Sequence, residues 1–248
     1  MSRHVLRAEW TKLRTVPETL WLVLAAATLT VAASVATVAA TSCSARGCAF
    51  DVAKTSLTGV GLGQAVVAIL AVVAVGGEYS TGMVRTTLAA MPRRITVLAA
   101  KAAVVTVVVM GLAAVAVPAC LLAGRLMLPS LSLADGPVLR AAAGSVLYLA
   151  LVGLLAVGTA TAVRDSAAAI GIVLGLLYVF PIIAQAVSDP EWRRHLQQLA
   201  PMSSGLAVQA TTHLDSLPIG PWQGLGVTAA WAAAALLAGG LRLRLRDA

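Results

Sequence analysis

Long apolar stretches free of Asp, Glu, Lys and Arg recur at about 20–41, 56–77, 102–124, 141–163, 166–187 and 220–241. A bilayer-spanning helix needs roughly 20 consecutive, mostly apolar residues, so each stretch predicts a transmembrane helix. The expected fold is all-α, a polytopic membrane protein with six spans. An even number of spans puts both termini on one side. A single membrane domain is expected over 1–248.

Between the second and third stretches lies Gly77 to Lys101, the most densely charged internal segment between two apolar runs. Within it Met83, Val84, Thr87, Leu88 and Met91 recur at the spacing of one face of a helix. Ser80 or Thr81 is a candidate cap. Met91 precedes Pro92, and the residue before proline is pushed out of the helical region, so the helix should end there. The pattern predicts a short amphipathic helix over about 80–91, flanked by Glu78, Arg85, Arg93 and Arg94. Such a helix is suited to pressing against a soluble partner. Glu78 could accept bonds from its free N–H groups or pair with an arginine; an ordinary solvated acid is the alternative.

Composition agrees with the spans. The chain is 59% hydrophobic and 11% charged, with a mean hydropathy of +0.91, far from a soluble domain. A formal net charge of +8 raises the question of nucleic acid, but the placement of the basic residues answers it. With the N-terminus in the cytoplasm, Arg3, Arg7, Lys12, Arg14, Arg85, Arg93, Arg94, Lys101, Arg164, Arg242, Arg244 and Arg246 face inward. Arg46, Lys54, Arg125, Arg140, Arg193 and Arg194 face outward. That bias follows the positive-inside rule, so the charge reads as topology, and no nucleic-acid partner is expected.

Residues 2–18 form a candidate interfacial helix with Leu6, Trp10 and Leu13 on one face and Arg3, Arg7 and Lys12 as anchors; a positively charged topogenic flank is the alternative. The first apolar run, about 22 residues, exceeds the 7–15 of a cleavable signal and is read as a permanent span. Cys43 and Cys48, with four residues between them, could close a small outer disulfide loop; two free thiols are the alternative. Cys120 in the third span is expected to serve packing. Gly59, Gly61 and Gly63 neither follow a strand nor open a βαβ unit, so they suit close helix packing rather than a nucleotide loop. Pro118 is expected to kink or end the third span. Val163-Arg164-Asp165-Ser166 is a tight connection that makes spans four and five antiparallel neighbours. Gly171 and Gly175 have GxxxG spacing, a candidate close-contact face.

The segment Ser188–Pro221 has helices of its own. Ser188 with Glu191 fits a capping box, with Pro190 in the first turn and Trp192, Leu196 and Leu199 on one face. A second short helix is expected from Ser204 to about Thr212. These helices either lie on the outer surface or dip into the outer leaflet. His195 and His213 read as solvated, and no metal site is expected. Trp222 suits an interfacial anchor at the start of span six.

No charged residue lies mid-span; Gln64 and Gln185 are the strongest polar groups there. A proton- or sodium-coupled carrier normally needs intramembrane ionisable groups, so secondary transport is disfavoured. No HExxH, nucleophile elbow or phosphate-loop sequence occurs, so the chain is not expected to be an enzyme or to bind ATP.

The stretch Glu78-Tyr-Ser-Thr-Gly82-Met-Val-Arg85-Thr-Thr-Leu88-Ala-Ala-Met-Pro92-Arg-Arg94, followed by Lys101, resembles the first cytoplasmic loop of type-2 ATP-binding-cassette (ABC) permeases, especially small actinobacterial exporter permeases. The N-terminal Glu9-Trp10-Thr-Lys12-Leu-Arg14 and the closing Arg-x-Arg-Asp-Ala add to the resemblance, and the six-span plan extends it over the chain. It implies a multi-pass protein of the bacterial cytoplasmic membrane. Two permease subunits, as a homodimer or heterodimer, would form the pathway above two separate ATPase subunits that bind ATP and Mg. It also implies that Ser80–Met91 is the coupling helix, with Glu78, Ser80, Thr81, Met83, Arg85, Leu88, Pro92, Arg93 and Arg94 at the ATPase contact. Trp10, Lys12, Arg14 and Trp222 would lie at the membrane interface, in contact with lipid. Spans one, two and five are expected to line the pathway. The alternatives are a non-transporting sensor, immunity or assembly component of the same fold, and an uncoupled secondary carrier.

Overall fold

The computed structural model describes residues 10–11, 17–41, 50–80, 83, 94–129 and 131–245. In chain order these form α1 (Pro17–Ala39), a short α2 (Val52–Ser56), α3 (Val60–Ser80), α4 (Arg94–Met127) and α5 (Gly136–Val163). Next come α6 (Ser166–Leu174), a π turn (Gly175–Val179) and α7 (Phe180–Ala186), which together make one span. Then follow α8 (Pro190–Leu199), α9 (Pro201–Gly205), two 3₁₀ turns (Leu206–Gln209 and Leu214–Ser216) and α10 (Pro221–Leu245). Six helices among the described residues are long and apolar enough to cross a bilayer, as the hydropathy pattern predicts, and no strand occurs among those residues. Of the N-terminal segment, Trp10 and Thr11 are helical; the rest of 1–16 lies outside the described residues, as do Cys43, Cys48 and 246–248.

The bundle has two ends. The base holds the starts of α1, α4 and α6 and the ends of α3, α5 and α10; the crown holds the opposite ends together with α2, α8 and α9. Buried Val, Leu and Ala side chains of α3, α4 and α5 form the centre of the core.

Close approach is made possible by glycine at a few crossings. A Cβ on Gly63 would fall 1.9 Å from Thr30 Oγ1 of α1, and one on Gly59 would fall 1.9 Å from the Thr30 carbonyl. The Gly59 N–H donates to Ser34 Oγ at 3.1 Å. These two glycines therefore seat α3 on α1, as small residues do in membrane helices. On the other side, a Cβ on Gly158 of α5 would sit 2.5 Å from backbone atoms of Ala235 and Leu236 in α10. Gly171 and Gly175, in contrast, have nothing within 4 Å of their Cβ positions. Their spacing alone does not bring a neighbour from this chain.

Pro118 does not end α4, which continues to Met127. In the fifth span, Pro181 has no N–H to bond Leu177, and the turn before it loosens to π geometry, with the Phe180 N–H bonded to Gly175 O. The turn after α5 is as tight as its sequence suggests. Arg164 takes a left-handed conformation (φ 65°) and Asp165 caps α6 by accepting from the Ala168 N–H at 2.7 Å. Cys120 is a free, buried cysteine whose Sγ lies 3.8 Å from Thr30 O.

One polar cluster is buried among the spans. The fully buried Tyr148 hydroxyl donates to Gln64 Oε1, and Gln64 Nε2 donates to Gly61 O at 3.0 Å. Tyr178 of the π turn donates to the same carbonyl at 2.5 Å. Spans two, four and five thus meet at a satisfied node, which removes the cost of burying an amide and two phenols.

Two measurements test this packing. Gly158→Leu puts side-chain atoms where the α10 backbone already lies, and should lower stability by at least about 3 kcal/mol, read as a fall in the thermal unfolding midpoint in lipid nanodiscs. Tyr148→Phe leaves the ring and deletes the bond to Gln64, and in the same assay should cost about 1 kcal/mol.

Candidate functional site

At the base, α3 and α4 are joined by residues 81–93, the region of the predicted coupling helix. Glu78 and Ser80 fall in the last turn of α3, with side chains outside the described set. Thr81, Arg85, Leu88, Pro92 and Arg93 also lie outside the described residues. Met83 is helical and 45% exposed. Arg94 is the first residue of α4, and its guanidinium donates to Leu243 O of α10 at 2.8 Å.

The ends of the neighbouring helices are tied in the same way. The Arg164 guanidinium donates to Arg242 O at 3.3 Å, and Arg242 in turn donates to Ala162 O. The last carbonyls of a helix have no partner within it, and arginine is well suited to satisfy them while its charge favours the negative end of the helix dipole. On α3, a Cβ on Gly76 would fall 2.1 Å from Ser166 Oγ, so the end of α3 and the start of α6 touch. Residues 81–93 therefore connect two anchored helix ends. One rests on the start of the fifth span and the other on the end of the sixth. Trp10 and Trp222 are exposed, Trp222 in the first turn of α10 at the crown; Lys12 and Arg14 are outside the described residues.

The crown is more elaborate than its sequence suggests. The cap of α8 is Asp189, which accepts from the N–H groups of Glu191 at 2.8 Å and Trp192 at 3.2 Å, and this corrects the expected Ser188–Glu191 box. A carboxylate one residue nearer the helix outcompetes the serine. The second crown helix starts at Pro201 rather than Ser204 and ends at Gln209. Pro201 follows an extended Ala200 and needs no N–H at the first helical position. Most of 200–210 is buried, with Val208 filling the notch left by Gly144 of α5. Thr228 of α10 donates to Pro201 O at 3.1 Å. α8 itself stays at the surface, with Trp192 and Leu199 exposed and the Trp231 indole bonded to Leu199 O at 2.9 Å. His195 and His213 are exposed, and no group of three or more His, Cys, Asp or Glu that could hold a metal comes together among the described residues.

Asp51 joins distant parts of the crown. It caps α2 by accepting from the Lys54 N–H at 3.0 Å. It also accepts from the Thr211 N–H at 2.5 Å, the Thr211 hydroxyl at 2.7 Å and the Thr212 N–H at 3.0 Å. Burial alone would raise its carboxyl, but these bonds from Lys54, Thr211 and Thr212 prevail and hold it below the ordinary carboxylate value. A lowered folded value means that the attachment contributes stability fully above the unfolded value and loses it as pH falls through the folded one. Thermal stability of the purified chain should therefore show no Asp51-dependent loss from pH 7 down to about pH 4, and Asp51→Asn should remove stability across that whole range.

A search of curated proteins finds no match for this chain. The family model described as ABC-2 family transporter protein matches residues 5–182, which includes the first four spans, most of the fifth and the segment between α3 and α4. With six membrane-crossing helices, a base formed by anchored helix ends and a match over most of its length, the chain belongs to the ABC-2 transporter family and is a multi-pass membrane protein.

Proposed function

We propose that the chain is the permease subunit of an ATP-driven exporter in a bacterial cytoplasmic membrane, with its base facing the cytoplasm. Two such subunits, identical or not, form the pathway, and two separate ATPase subunits bind ATP and Mg below them. The observation that carries this reading is the anchoring of the helix ends on either side of 81–93. Gly76 against Ser166 fixes one end, and Arg94 on Leu243 O fixes the other. A push from a soluble partner at this connection reaches helix ends that are each tied to a neighbouring span.

In this mechanism ATP-driven closure of the partner ATPases moves Ser80–Met91 as a lever. Displacement of the start of α4 and the end of α3 tilts spans two and three and opens the pathway away from the ATPases. Glu78, Arg85, Pro92, Arg93 and Arg94 supply the charged and rigid positions of the contact, Met83 and Leu88 belong to its apolar stripe, and Ser80 or Thr81 caps its start. The weakly polar interior suits an amphipathic or apolar cargo.

Arg85→Glu reverses a charge at the contact and should reduce ATP-dependent transport in reconstituted vesicles by about tenfold or more. Glu78→Ala should weaken it in the same direction, with insertion into the membrane unchanged in both. Wild-type transport by both variants would sink the lever. ATP-independent transport by the unaltered protein would favour an uncoupled carrier, and ATPase recruitment without transport a sensor or assembly component.

A further inference from the structure

The chain leaving the buried crown segment is gripped from two sides by opposite charges. Arg140, in the first turns of α5, donates to Ala210 O at 2.6 Å. Asp51, at the start of α2, takes the next two N–H groups and the Thr211 hydroxyl. Beside them the buried Gln209 amide donates to Ser145 Oγ at 3.1 Å and reaches Leu57 O at 3.5 Å. A cation on the carbonyl and an anion on the amides match the polarity of the peptide units they hold. These bonds attach Pro201–Thr212 to α2 and α5. The α10 side is held differently, by the Thr228 hydroxyl on Pro201 O and by Gly224, where a Cβ would fall 1.9 Å from Ser204 O.

We infer that Asp51 and Arg140 form a charge latch that keeps Pro201–Thr212 seated in the crown, and that release at Asp51 frees this segment from α2 and α5 while it stays on α10. Asp51 is the release point because its carboxylate accounts for three of the bonds to Thr211 and Thr212, across some of the longest sequence separations in the fold. Apolar packing of Val208 against Gly144 resists movement only while the exit of the segment is pinned. The latch goes beyond the export reading and does not require it.

Asp51→Asn separates the latch from the helix cap. Asparagine caps a helix about as well as aspartate, but it lacks the charge and turns an N–H donor toward the donors of Thr211 and Thr212. The test uses the full chain in lipid nanodiscs, with Cys43, Cys48 and Cys120 replaced by alanine and one reporter cysteine at the buried Val208. The rate of maleimide labelling should rise at least threefold in Asp51→Asn, and roughly tenfold if a whole charge-assisted bond is lost. A second reporter at the buried Leu155, toward the base, should keep its rate. A Val208→Cys rate within threefold of the parent overturns the latch, and so does an equal rise at Leu155→Cys, which would mean a loosened bundle. Should Asp51→Asn fail to insert, Thr211→Val deletes only the hydroxyl bond and is judged by the same threefold criterion. No ATPase is present in this assay, so its outcome is separable from that of the vesicle transport experiment.

Discussion

No water reaches the hydrocarbon of a bilayer, so every backbone N–H and C=O at that depth must be satisfied by protein. The spans meet this constraint by being helices, and their few polar side chains meet it by folding back onto them. Thr30, Thr37, Thr106, Thr159 and Thr161 each donate to the carbonyl four residues earlier. With little polar chemistry left over, association of the helices falls to close packing. This is why Gly59 and Gly158 sit where backbones nearly touch and Gly63 lies against the Thr30 side chain.

The same constraint explains the crown. Residues 200–212 are interrupted helix and extended chain, buried against α5 and α10, so their backbone groups need partners from outside. Arg140, Asp51 and Thr228 supply them. Buried irregular backbone needs such partners wherever it lies. At the base, the exposed carbonyls of α5 and α10 are met by Arg242, Arg94 and Arg164. Basic residues there tie the helix ends that frame segment 81–93.

Much of the fold is legible in the sequence because it depends on local pattern. Charge-free runs mark the spans, Arg164-Asp165 marks the tight turn, and Cys120 packs as its apolar surroundings suggest. Features decided by tertiary neighbours are not legible. Gln64 stands out as polar, yet nothing in its own span names Tyr148 or Tyr178 as its partners. Asp51 looks like a loop acid until Thr211, far along the chain, is folded beside it. Gly171 and Gly175 show the opposite failure, since their spacing suggests a contact that this chain does not supply. Ser188 and Asp189 are adjacent candidate caps, and only backbone geometry chooses between them. The coupling role proposed for 81–93 rests on its sequence pattern and on the anchored helix ends beside it.

On the proposed reading, a separate ATPase drives this permease through its base. The most direct measurement is purification of the tagged protein from its native membrane in mild detergent, followed by identification and quantification of bound subunits. The account predicts an ATP-binding subunit in one-to-one ratio with the permease. Recovery of an intact assembly that contains no ATPase would contradict it.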